Sequence, residues 1–242
     1  MRIILAAIFL NVSFLVLAQT DSTKNAWQVN GVILLTNNGI SPVPAFSLGK
    51  PALMATLFVK KRGFIFSPEF NFGSDGKPWT VNQWFRYQFS HEKFTYRAGI
   101  NFTLYFGRET VQMGNTSVEV AKLNQYTALE ANVGYQLSAK SSLNLTYWNS
   151  HGLDFGSVKS GHFLSFSASF SKIPLSKLLF LELRPNVFYI NNKVPFEGLF
   201  VSSILNISFK KFPVSLFTQG VQPIWSLPST KFSWNYGLNY IF

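Results

Sequence analysis

The chain has 242 residues with 21 Lys and Arg against 10 Asp and Glu, a formal charge of +11, and no cysteine. Without cysteine there are no disulfides, no thiolate metal ligands and no Cys nucleophile. Charged residues make up 13% while Phe alone contributes 26, against roughly 25% charged in an ordinary soluble domain.

Met1-Arg2 is a short basic start, Ile3 to Leu17 is mostly apolar, and Val16-Leu17-Ala18 places modest side chains before Gln19. This pattern predicts a secretory signal over 1–18, cleaved after Ala18, with 19–242 as the mature domain. Loss of Arg2 then lowers the charge to +10. The alternative is an uncleaved membrane anchor. Beyond that segment no run reaches the ~18 consecutive apolar residues that a membrane-spanning helix needs. An apolar, aromatic chain without helical spans can satisfy its backbone in lipid by closing into a barrel of strands. Secretion removes nucleic acid as the partner of the basic charge, and anionic headgroups explain it instead.

The recurring signal is a period of two, the mark of a strand whose side chains leave alternate faces. Phe64, Phe66, Phe70 and Phe72 alternate with Ile65, Ser67, Glu69 and Asn71, with Pro68 a mild interruption because it cannot donate to a ladder. From Phe94 to Phe106, the residues Phe94, Tyr96, Ala98, Ile100, Phe102, Leu104 and Phe106 share a face opposite Thr95, Arg97, Gly99, Asn101, Thr103 and Tyr105. Twelve strands are predicted at 26–36, 50–60, 63–73, 79–90, 93–107, 124–138, 141–149, 161–171, 177–190, 197–209, 212–222 and 230–242, the eleventh ended by Pro223. The connections alternate. Those at 37–49, 74–78, 108–123, 150–160, 191–196 and 223–229 are mostly long, whereas Lys61-Arg62, His91-Glu92, Ala139-Lys140, 172–176 and Lys210-Lys211 are brief. Sorting of this kind is expected of a membrane barrel, with short turns on one side and longer loops on the other. Segment 108–123 either extends its strands above the membrane, as the alternation of Ser117-Val118-Glu119-Val120 suggests, or folds inward over the mouth.

The last strand places Phe232, Trp234, Tyr236, Leu238, Tyr240 and Phe242 on one face and Ser233, Asn235, Gly237, Asn239 and Ile241 on the other. It resembles the C-terminal assembly signal of Gram-negative outer-membrane β-barrel proteins, carried here by Tyr236, Leu238, Tyr240 and Phe242. The resemblance implies an all-β, transmembrane, antiparallel up-and-down barrel in the outer membrane, with both termini periplasmic for an even strand count. The implied partners are outer-membrane lipid, lipopolysaccharide and the barrel-assembly machinery.

Closure assigns the polar face of each strand to the interior, and a charge on the lipid face near the midplane costs about 2–4 kcal/mol. Glu69, Arg86, Arg97, Glu130, Glu182 and Arg184 are therefore expected to line the lumen, either as a structural ion-pair network or as a constriction that selects what passes. Inward Phe58, Trp84, Tyr105, Tyr126, Trp148, Phe180, Phe188 and Phe200 argue against a wide aqueous channel. The expectation is a narrow passive path for a small polar or amphipathic solute, with no cofactor and no metal. Two other readings stay open. One is a surface lipid-modifying hydrolase, for which Ser150, His151 and Asp154 supply a Ser, a His and an acid within one loop. The other is a structural or docking barrel, whose short-turn rim of Lys60, Lys61, Arg62, Lys93, Lys140, Lys172, Lys177, Lys210 and Lys211 would grip headgroups or an acidic partner.

Overall fold

A computed structural model describes residues 26–39, 47–192 and 196–242; the expected signal segment 1–18 lies outside them. The described residues form twelve strands: β1 (Gln28–Thr36), β2 (Ala52–Lys61), β3 (Phe64–Gly73), β4 (Pro78–His91), β5 (Phe94–Met113), β6 (Thr116–Ser138), β7 (Ser141–Gly152), β8 (Gly161–Pro174), β9 (Leu179–Asn191), β10 (Glu197–Phe209), β11 (Phe212–Leu227) and β12 (Ser233–Ile241). Each pairs antiparallel with its chain neighbours, and β12 returns to β1, so the sheet is a closed barrel without edges.

The closing seam pairs 32–36 of β1 with 237–241 of β12 and extends to Phe242. Gly31 and Phe242 exchange both backbone hydrogen bonds, at 2.9 and 3.1 Å, and the Phe242 ring lies where a side chain on Gly31 would stand. The outward set of β12 is exposed, with Trp234, Tyr236, Leu238 and Tyr240 at 42–57%, whereas inward Asn235 is buried at 1%. Elsewhere Leu129, Leu145, Leu164 and Phe166 continue the apolar outer surface. No helix of the described residues is long and apolar enough to cross a membrane.

Several turns shift by a residue or more, Glu92-Lys93 replacing His91-Glu92 and 175–178 replacing 172–176 among them. The first hairpin turn is Arg62-Gly63 rather than Lys61-Arg62, because both central residues take positive φ (47° and 86°), the geometry that matches strand twist in a two-residue loop and that glycine adopts freely. Pro223 does not end β11. A bulge opposite Leu199 and Phe200 shifts the register past it, and the strand continues to Leu227, a bulge being one of the few places a ladder accommodates proline. Segment 108–123 extends β5 and β6 into a long hairpin that turns at Gly114 (φ 62°), with Lys122 Nζ 3.0 Å from Glu109 and Arg108 Nη1 3.6 Å from Glu119 across it. Of the two readings of 108–123, extended strands are the one the fold takes.

Candidate functional site in the barrel lumen

Strand parity places all six expected charges inside, and neighbouring strands decide how they meet. Gln88 faces Arg97, and Arg86 faces Gly99, across the β4–β5 pair. On the far side of β5, Gly99 faces Glu130 of β6. Gly99 has no side chain, and a Cβ there would lie 2.7 Å from Arg86 Cγ. Arg86 can therefore reach over β5 to Glu130, donating from Nε to Oε1 at 3.0 Å and from Nη2 to Oε2 at 3.1 Å. Arg97 Nε donates to Glu130 Oε1 at 2.6 Å and Trp148 Nε1 to Oε2 at 2.9 Å. The Glu130 side chain is fully buried, and two arginines and an indole saturate its oxygens. Arg86 Nη1 donates to Ser67 Oγ at 3.0 Å, and its guanidinium lies 3.9 Å from the Trp84 ring. Such a cluster is inexpensive only when every charge is answered, since removing one partner strands the others.

From Trp84 a continuous series of ring contacts runs round the wall: Trp84–Trp148 at 5.4 Å, Trp148–Phe163 at 4.7 Å, Phe163–Phe188 at 5.7 Å, Phe188–Phe200 at 5.1 Å and Phe200–Phe196 at 5.8 Å. Phe163, Phe188, Phe196 and Phe200 form a buried apolar cluster with Ile190 and Val221, and the half-buried Trp148 packs against it. This half of the lumen is packed.

Elsewhere the lining is mixed, with Val32, Met54, Ile204 and Phe217 on part of the wall and a polar group centred on Glu69 on another. Glu69 on β3 accepts hydrogen bonds from Asn71 Nδ2 at 2.6 Å and Asn82 Nδ2 at 2.8 Å, both on Oε1. Asn71 Nδ2 also donates to Thr80 Oγ1 at 2.7 Å, and Thr103 Oγ1 to Asn82 Oδ1 at 2.7 Å. Glu182 and Arg184 pair with each other at 2.6 Å. Between the two halves lies a cavity of about 850 Å³, within the range of small-molecule sites. Its lining extends from Trp79, Tyr105, Tyr126 and Ser150 near the long-connection end to Phe58, Asn239 and Ile241 near the short-turn end.

The charges were legible from parity, whereas the amides and hydroxyls that organise them, Asn71, Asn82, Thr103 and Ser67, were not singled out. The same parity marks them as inward. Gly99 was equally overlooked, because the need for a bare backbone there appears only when Arg86 is seen to cross it.

The loop group Ser150, His151 and Asp154 is not assembled as a catalytic set. His151 Nδ1 lies 3.0 Å from the Lys159 carbonyl and Nε2 2.6 Å from Asn149 Oδ1. Ser150 Oγ donates to the Gly161 carbonyl at 3.4 Å, and the Asp154 carboxylate accepts from the Gln125 backbone N–H.

No protein-family model and no curated protein sequence matches the chain. Several solved structures share its architecture. The KdgM porin in complex with disordered oligogalacturonate superposes with a TM-score of 0.55 at 11% identity, covering 88% of this chain and 99% of that one. The fold is that of outer-membrane β-barrel proteins. The COG4313 outer membrane channel from Pseudomonas putida F1 gives 0.52 at 12% identity over 92% and 99% of the two chains. The NanC porin gives 0.52 at 8% identity over 88% and 98%. The likeness is one of architecture; the lumen chemistry is this chain's own.

Proposed function

We propose that this protein is an outer-membrane barrel of a Gram-negative bacterium that passes a small polar or amphipathic solute passively through a narrow lumen. The observation that carries the reading is the cavity of about 850 Å³, lined by aromatic rings, by aliphatic side chains such as Val32, Met54 and Ile204, and by a polar group of amides, hydroxyls and Glu69. A barrel filled for stability alone would close both halves, yet here one half is packed and the other is left open. The apolar outer face meets lipid, the signal segment directs export, and the aromatic face of Tyr236, Leu238, Tyr240 and Phe242 engages the assembly machinery. In this orientation both termini lie in the periplasm, and the basic short-turn rim meets headgroups there.

Purified protein in planar bilayers should give small, non-gated conductance steps, and liposomes carrying it should admit solutes of a few hundred daltons while excluding larger ones. Folded, inserted protein that gives neither conductance nor flux would remove the reading. The lipid-hydrolase alternative loses its motive, since neither ring nitrogen of His151 faces Ser150 or Asp154.

A further inference from the structure

Three arginines and three glutamates face the lumen, but they are not used alike. Glu130 is shared by Arg86 and Arg97, and Glu182 answers Arg184. Glu69 has no Lys, Arg or His nitrogen within 4 Å among the described residues, and its neighbours are amides. Both of those amides donate to Oε1, which leaves Oε2 without a hydrogen-bond partner among the described residues. That oxygen is not sealed in the wall, because Glu69 is half-buried and lines the cavity.

The surrounding polar groups are arranged for a ligand that brings donors. Asn71 has given both amide protons, to Glu69 and Thr80, while its Oδ1 has no partner among the described residues, and the one hydroxyl proton of Thr103 lies between Asn82 and Asn101. Arg86 interacts electrostatically with Glu69, but its Nε, Nη1 and Nη2 hydrogen bonds are committed to Glu130 and Ser67. Arg184 lines the cavity but brings Glu182 with it. The Glu69 carboxylate has no ion pair of its own within 4 Å among the described residues, and at the cavity wall its charge acts across a narrow space. Trp84, one inward position along β4 from Asn82, and Trp148 contribute aromatic surface to the same cavity, which suits an apolar body.

We propose that the cavity is a binding subsite for small amphipathic cations, with an ammonium group on Oε2 of Glu69 and an apolar body against Trp84 and Trp148. The proposal rests on the solute-path reading, since the ligand enters from the lumen, and it narrows that reading to amine-bearing solutes over carboxylates.

The test is a titration of the full barrel in detergent, read by tryptophan emission, with 2-phenylethylammonium, phenylacetate and 2-phenylethanol as probes of matched body and differing charge. Saturable binding of the ammonium is expected, with phenylacetate and phenylethanol each about ten-fold weaker or worse. Glu69→Gln, with folding checked by heat-modifiable gel mobility, should weaken ammonium binding to the level of the alcohol. Equal binding of the three probes by the unaltered protein would overturn the proposal, and so would an unchanged affinity in folded Glu69→Gln. The probe series needs no variant, so it decides the matter even if Glu69→Gln does not fold. Binding is read without conduction, so a barrel that binds the ammonium and passes nothing would sink the path reading while sustaining the subsite.

Discussion

The two halves of the lumen treat the same kinds of residue in opposite ways. Both carboxylate oxygens of Glu130 are answered, and further along the ring series Phe188 and Phe200 are 1% exposed inside a barrel that could have held water. Around Glu69 the carboxylate is only half answered, and its neighbours open onto the cavity. The difference teaches that an inward charge is not by itself a sign of transport. A charge whose partners saturate it holds strands together, and one that keeps a free oxygen is available to a solute.

The largest effect expected on breaking this contrast is at Glu130. Glu130→Ala leaves two arginines facing each other in a buried setting and should cost about 3–5 kcal/mol, read as a fall in the temperature at which the folded form is lost on unheated gels. Phe200→Ala should cost about 3 kcal/mol through the void left in the ring series, and it should also raise conductance as the packed half opens. Gly99→Val should cost about 1–3 kcal/mol, since its side chain occupies the crossing used by Arg86. In a double-mutant cycle with Glu130→Ala most of that cost should disappear. Thr103→Val in the polar group around Glu69 should change stability by less than about 1 kcal/mol while altering solute flux.

The smallest effect lies outside the wall. Lys50 Nζ sits 2.8 Å from Asp75 in the β3–β4 connection, and this bond, with the Lys77 backbone N–H, holds the Asp75 carboxyl below its ordinary value of 3.8. A lowered folded value means that the contribution is present above pH 3.8 and is lost as pH falls through the folded value. An NMR titration of Asp75 should give a midpoint below 3.8, and Lys50→Met should move it up toward that value, the Lys77 N–H still holding it down.

Much of this architecture was readable from residue order. Alternation in Phe94–Phe106 and Phe232–Phe242 gave strands and faces, because a wall between lipid and a polar interior repeats every second residue. The six lumen charges follow from the same parity. Their pairing does not, since contacts such as Arg86 to Glu130 join residues 44 apart and depend on strand stagger and on a missing side chain at Gly99. The passage of β11 through Pro223 was hidden for a similar reason: a bulge belongs to a pair of strands, and one strand's sequence does not contain it. The division of the lumen into packed and open halves is a property of the closed circle, visible only when β4 to β10 are seen together.

Because the chain has no cysteine, single introduced thiols can test that division directly. Thr103→Cys, lining the cavity, should react rapidly with a small membrane-impermeant thiol reagent and lose solute flux on modification. Phe200→Cys, inside the ring series, should react at least about a hundred-fold more slowly in the folded barrel. Equal reactivity at the two positions, or rapid labelling at Thr103→Cys with no change in flux, would contradict a lumen in which one half is sealed and the other conducts.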